Sequence, residues 1–118
     1  MADPWPRDIK VHGAERLLEI AFDDGRVFRL PAELLRVESP SAEVQGHGPD
    51  EKRLVPGKRG VGIARVQPVG NYAIRIVFDD GHDTGLYTWA YLYELGRDHE
   101  RIWRLYLDGL AKAGLTRD

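Results

Sequence analysis

The tetrapeptide Phe-Asp-Asp-Gly occurs twice in this 118-residue chain, at residues 22–25 and 78–81, 56 positions apart (78 − 22). Each copy closes a segment, residues 16–22 and 72–78, whose large apolar side chains recur at strand spacing. Asp tolerates left-handed backbone and Gly adopts it at little cost, so each copy predicts a hairpin turn. A second short extended segment and then a helical signal follow both copies. Two hairpins, each leading into a helix, restrict the chain to an α+β arrangement. Whether the halves are a true duplication stays open at this level, because Asp-Gly turns recur widely.

The remaining elements follow from local chemistry. Residues 9–12 form a short first strand closed by Gly13, and residues 27–30 return as the partner of the first hairpin. Pro31 suits the first turn of a helix over residues 32–36, and Ser39-Pro40 ends it. Residues 41–60 read as one long irregular stretch, a length that is uncommon inside a compact domain and often functional. Residues 61–69 and 72–78 are strands joined by Gly70-Asn71, and residues 84–87 return after the second turn. Thr88 can cap a helix starting at Trp89, and Gly96 can end it. A last helix spans about residues 98–112. Ile102, Leu105, Gly109 and Ala113 form one stripe on it, and Trp103, Leu107 and Leu110 a second. The expected architecture is a single α+β domain. It has one antiparallel or mixed sheet built from hairpins, with short helices and the C-terminal helix largely on one face.

Composition narrows the function classes. A hydrophobic fraction of 42% with 31% charged residues fits a globular domain. A net charge of −2 gives no general attraction to nucleic acid or anionic membrane. The chain has no cysteine. It therefore has no disulfide, thiolate zinc site, cysteine-ligated iron–sulfur cluster or Cys nucleophile of its own. No apolar run approaches the length of a membrane span and no signal-peptide pattern opens the chain, so a cytoplasmic protein is expected.

Chemistry is concentrated at the second copy of the repeat. Asp79, Asp80, His82 and Asp83 lie within five residues, and carboxylates with imidazole suit iron, manganese or zinc. His47 supplies a second imidazole on the long loop, and Glu38 a further carboxylate. Successive strand residues face opposite ways, so His82 and Asp83 share a metal only if the turn curls. The competing reading is local: turn aspartates bond their own backbone, and His82 bonds nearby. Gly57-Lys58-Arg59-Gly60-Val61-Gly62 lacks the spacing of a phosphate loop, and a strand follows it rather than a helix. Neither serine sits in a nucleophile elbow. Tyr72, Tyr87, Trp89, Tyr91 and Tyr93 make the second half rich in aromatics, which are usually core but also mark interfaces.

The run Gly70-Asn71-Tyr72-Ala73-Ile74-Arg75-Ile76-Val77-Phe78-Asp79-Asp80-Gly81-His82-Asp83-Thr84-Gly85-Leu86-Tyr87-Thr88-Trp89 resembles the signature of the gamma-butyrobetaine hydroxylase-like N-terminal domain. That family consists of small bacterial proteins of unknown function. Leu34-Leu35-Arg36-Val37-Glu38-Ser39-Pro40-Ser41-Ala42-Glu43-Val44 is similar to its other signature. The resemblance covers about residues 6–107 of a single domain spanning 1–118. In the carnitine-synthesis hydroxylases a separate jelly-roll domain carries iron and 2-oxoglutarate. These 118 residues include none, so dioxygenase activity is not carried over.

The resemblance also implies a zinc site in those enzymes, held by three cysteines of one signature and the histidine of the other. The cysteine positions read Ser39, Ser41 and Val44 here, and His82 alone is retained. A similar domain also accompanies P-loop ATPases that carry iron–sulfur clusters, which implies a connection to cluster assembly. The leading expectation is a non-catalytic protein-binding or accessory module, linked to iron–sulfur protein assembly or to a dioxygenase partner. A protein partner or homodimer would meet Tyr87, Trp89 and Tyr91. The alternative is a protein binding iron or another divalent metal through His82, Asp83, Asp80 and His47. A stand-alone enzyme would need a deep pocket lined by His82 and a carboxylate.

Overall fold

The computed structural model describes residues 4–46 and 52–118. Strands β1 (Pro6–His12), β2 (Leu17–Phe22) and β3 (Val27–Pro31) form an antiparallel sheet in that order. Strands β4 (Ile63–Val69), β5 (Ala73–Phe78) and β6 (Leu86–Thr88) form a second one. Helices α1 (Ala32–Val37) and α3 (Trp89–Arg97) directly follow β3 and β6. Helix α2 is the single turn Ala42–Gln45, and α4 runs His99–Ala113. The antiparallel α+β reading holds, with the strands divided between two sheets rather than joined in one. Each hairpin recruits only its own preceding strand, which fills three places and leaves the two halves to meet through side chains.

That meeting is the core. Leu18, Ile20 and Phe22 alternate inward from β2, and Ile74, Ile76 and Phe78 from β5, all at most 3% exposed. They form one cluster with Leu30, Leu34, Leu35, Tyr87, Leu92 and Leu95. Burying each large apolar side chain contributes about 1.5–3 kcal/mol before chain entropy is set against it. Thr88 caps α3 by accepting the Tyr91 amide at 3.2 Å. Gly96 lies within the last turn of α3 rather than ending it. A Cβ there would meet the Phe28 ring at 2.2 Å, so the glycine lets the helix approach β3.

The two Phe-Asp-Asp-Gly turns are built alike. Gly25 and Gly81 adopt φ of 91° and 93°. Phe22 N–H donates to Arg26 O at 2.8 Å, and Phe78 N–H to His82 O at 3.0 Å. The second aspartate of each copy, Asp24 or Asp80, accepts the amide two residues on at 3.0 Å. The first aspartate of each copy pairs with the approach to the neighbouring strand. Asp23 accepts the Trp5 amide at 3.1 Å, and Asp79 the Gly62 amide at 3.0 Å. The register slips at equivalent places, between Pro6 and Asp8 and between Ile63 and Arg65. A common turn explains the first bonds; matching bulges and strand approaches extend the likeness to the whole three-stranded unit.

Two sequence expectations about the helices change. The stretch over residues 41–60 contains α2. On α4 the buried residues are Tyr106 and Leu110, while Leu105 and Leu107 face solvent. Tyr106 and Leu110 pack with Val37, Leu54 and Val55, and the Tyr106 hydroxyl donates to Val55 O at 2.6 Å. The chain end then folds back. Gly57 and Arg59 amides donate to Thr116 O and Arg117 O, and Arg117 grips the buried Glu33 carboxylate at 2.6 and 2.8 Å.

Candidate functional site

The turn aspartates reach across to the opposite half. Asp24 Oδ2 accepts the Tyr93 hydroxyl of α3 at 2.7 Å, and Asp80 Oδ2 accepts Arg36 Nε of α1 at 2.8 Å. Tyr93 and Arg36 occupy equivalent helix positions, 57 apart (93 − 36). Each hairpin is thus latched to the other half's helix. The two corners made this way differ in chemistry. The first is aromatic: Phe22, Phe28 and Tyr93 pack edge to face with centroids 5.1–5.9 Å apart, and the Arg26 guanidinium lies over the Tyr93 ring. The second is polar, and there the chemistry-bearing residues gather.

At the second corner Lys58 Nζ joins Arg36 on Asp80 Oδ2, at 2.7 Å. Burial pushes the Asp80 carboxyl up, but the bonds from Lys58, the His82 amide and Arg36 outweigh it and hold its pKa at about 2. His82 occupies the position held by Arg26 in the first corner, and its ring is buried. Its Nε2 lies 2.9 Å from Ser39 Oγ and 3.4 Å from Ser41 Oγ. Its Nδ1 lies 3.2 Å from Glu43 Oε2. Burial and then the Arg36 charge push its pKa below the usual imidazole value, against the pull of Glu43 and Asp80, so the neutral ring is favoured. Gly85 makes room for this arrangement, since a Cβ there would sit 2.5 Å from Ser39 Oγ.

The order Glu43, His82, Ser39 is that of a nucleophilic triad. Its accessibility is reversed, however. Ser39 is 0% exposed and the Glu43 side chain 64% exposed, so the hydroxyl has no path to a substrate. No deep pocket forms between His82 and a carboxylate among the described cavities. The Gly57–Gly62 loop cradles nothing either, because the amides of Gly57, Arg59, Val61 and Gly62 all donate within the chain.

The other sequence candidates separate. Asp80 spends Oδ1 on the His82 amide and Oδ2 on two cations, and Asp83 is exposed beyond the turn. His47 lies outside the described residues. Among those described, no three His, Asp or Glu side chains gather as a metal-holding group. Tyr87 is fully buried with its hydroxyl on Leu35 O, so it offers no surface to a partner. Trp89 is half-buried edge-on to Trp5 and donates to Asn71 O. Tyr91 is half-buried, donates to Glu38 O, and lines a groove of about 450 Å³. That groove lies between the end of α1, Gln45 of α2, residues 52–54, α3 and α4. Of its residues, Leu54 and Glu94 carried no signal in the sequence, and Ile102 stood out only as part of an α4 stripe.

A family model described as gamma-butyrobetaine hydroxylase-like, N-terminal, matches residues 9–93. The chain belongs to that family. Three solved structures are similar to this gamma-butyrobetaine hydroxylase-like domain. One NMR solution structure is 48% identical with a TM-score of 0.85, covering 99% of this chain and 92% of that one. Another is 50% identical with a TM-score of 0.84, covering 98% and 86%. The third is a crystal structure of a protein of unknown function from Acidithiobacillus ferrooxidans ATCC 23270, of the DUF971 family. It is 39% identical with a TM-score of 0.68, covering 80% of this chain and 98% of that one. No curated protein matches.

The zinc that the resemblance implies can be tested against this corner. Ser39, Ser41 and His82 do converge, as ligands would. Their chemistry does not fit: neutral hydroxyls replace thiolates, Val44 offers no donor atom, and His82 Nε2 is already paired with Ser39 Oγ at 2.9 Å. The corner as it stands is a hydrogen-bonded junction.

Proposed function

We propose that this domain is a non-catalytic protein-binding or accessory module whose working surface is the groove between α1, α3 and α4. The supporting observation is the groove itself. Its apolar lining includes Leu54, Ile102 and Leu105, and charge stands at its rim in Arg53, Glu94 and Arg101. Apolar area ringed by polar groups is the make-up of an interface, and Leu105 remains 59% exposed at its edge. Tyr91 contributes an aromatic wall. Partners in keeping with the family resemblance are proteins of iron–sulfur assembly, a dioxygenase, or a second copy of the chain. The metal-binding alternative draws less support, because Asp80 and His82 are already committed to Arg36, Lys58 and Ser39.

A matched pair of photocrosslinking variants tests the reading in the native cell. Leu105 and Val27 are similarly exposed, at 59% and 57%, but only Leu105 lines the groove. A photoreactive amino acid at position 105 should give a discrete protein adduct that position 27 does not. Equal labelling at both positions, or none at 105, would overturn the proposal.

A further inference from the structure

We infer that the second corner keeps the geometry of a metal centre while its chemistry has become that of a hydrogen-bonded clasp. Thiolates at positions 39, 41 and 44, where the family resemblance places cysteines, would complete a metal centre here. The three polar atoms there form a triangle. Its sides are Ser39 Oγ to His82 Nε2 at 2.9 Å, Ser41 Oγ to His82 Nε2 at 3.4 Å, and Ser39 Oγ to Ser41 Oγ at 3.3 Å. A tetrahedral centre with bonds of about 2.0–2.3 Å has ligand-to-ligand edges of about 3.3–3.8 Å. The triangle is one face of such a tetrahedron, slightly contracted as direct hydrogen bonds require.

The fourth corner has a source in the local fold. Ser41 is the N-cap of α2 and Val44 is three residues on. Side chains at these two positions lie beside one another in the first turn of a helix. Val44 is 1% exposed, so it points inward rather than into solvent.

The arrangement is not a general product of the repeat. The first corner places Gly96 and Asp98 at the positions equivalent to Ser39 and Ser41, 57 residues on (96 − 39 and 98 − 41), and Arg26 opposite them. No comparable triangle can form from that set, and Phe28 fills the space instead. The polar corner is therefore present in one half only. What closes it is His82, bridging the β5–β6 turn to Ser39 between α1 and α2 through Nε2 and to Glu43 of α2 through Nδ1.

The test uses the full chain in three forms: wild type, the triple variant S39C/S41C/V44C, and the triple variant with His82→Ala. Each is loaded with Co²⁺ or Zn²⁺ under reducing conditions and desalted. Metal is then measured by elemental analysis, and cobalt coordination by visible absorption. Wild type should retain no stoichiometric metal. The triple variant should retain one equivalent, with the absorption of tetrahedral cobalt–thiolate. Loss of His82 should weaken retention at least tenfold. Stoichiometric zinc on wild type would overturn the clasp. A folded triple variant that binds neither ion would overturn the convergence. If the triple variant does not fold, S39C/S41C with His82 intact supplies three ligands and should still bind cobalt; its failure, once shown folded, would count equally against the inference.

Discussion

Asp80 Oδ2 accepts the Arg36 Nε–H at 2.8 Å, across 44 positions of sequence. This bond fastens the turn of the second half to the helix of the first. Its counterpart, Asp24 to Tyr93, fastens the first turn to the second half's helix. The halves are therefore interlocked rather than stacked, and each latch should be felt by the whole domain.

Replacing Asp80 by Ala should destabilise the fold by about 1–2 kcal/mol, since it strands two partly buried cations but leaves them some solvent. Arg36 is the more consequential of the two, because its Nη1 is buried with no partner among the described residues. Urea denaturation would read the loss as a lower midpoint at unchanged slope. Asp24→Ala should have the smaller effect, as that latch lies in solvent.

Asp80 also sets an acid limit. Its pKa is about 2 in the fold against 3.8 for the free group. A carboxylate depressed on folding contributes stability that is complete above the unfolded value. The contribution is lost as pH falls through about 4 toward 2. Asp80→Asn should flatten the stability profile in that window, and equal slopes for both proteins would refute the assignment.

The close approach of α3 to β3 depends on Gly96. Ala there would drive its Cβ to 2.2 Å from the Phe28 ring, a rigid neighbour that cannot swing aside cheaply. Gly96→Ala should cost about 1–3 kcal/mol in thermal or denaturant unfolding, and Phe28→Leu in the same chain should recover part of it.

The buried Glu33 has one guanidinium to itself. Arg117→Ala leaves that carboxylate uncompensated and also removes the cation stacked 5.2 Å from the Trp103 ring. A loss of about 2–3 kcal/mol is expected, with Arg117→Lys recovering only part because Lys cannot form the fork. A midpoint unchanged in Arg117→Ala would contradict this role.

Particular residues show why the sequence revealed some of this and hid the rest. The two turns were legible because left-handed Gly25 and Gly81 have a local signature, and the β2 and β5 faces because Leu18, Ile20, Phe22 and their counterparts alternate. Thr88 announced its cap. The split into two sheets was not legible, since strand alternation reports burial but not which strand lies beside which. His82 could be singled out, yet its contacts with Glu43 and the pairing of Asp80 with Arg36 and Lys58 join residues 22 to 44 positions apart. The groove drew residues from five separate segments, and no period or motif connects Leu54 to Ile102. Tyr87 illustrates the converse: aromatic enrichment points to core and interface alike, and here its ring and hydroxyl are both consumed inside.

The most direct test of the clasp is the tautomer of His82, read from long-range proton–nitrogen correlations in the NMR spectrum of the wild-type protein near neutral pH. The Glu43 carboxylate beside Nδ1 accepts only, and the lowered pKa favours a neutral ring. The account predicts a single neutral form with the proton fixed on Nδ1 and a bare Nε2 accepting from Ser39. A proton on Nε2, or the averaged signal of a ring exchanging freely with water, would contradict it.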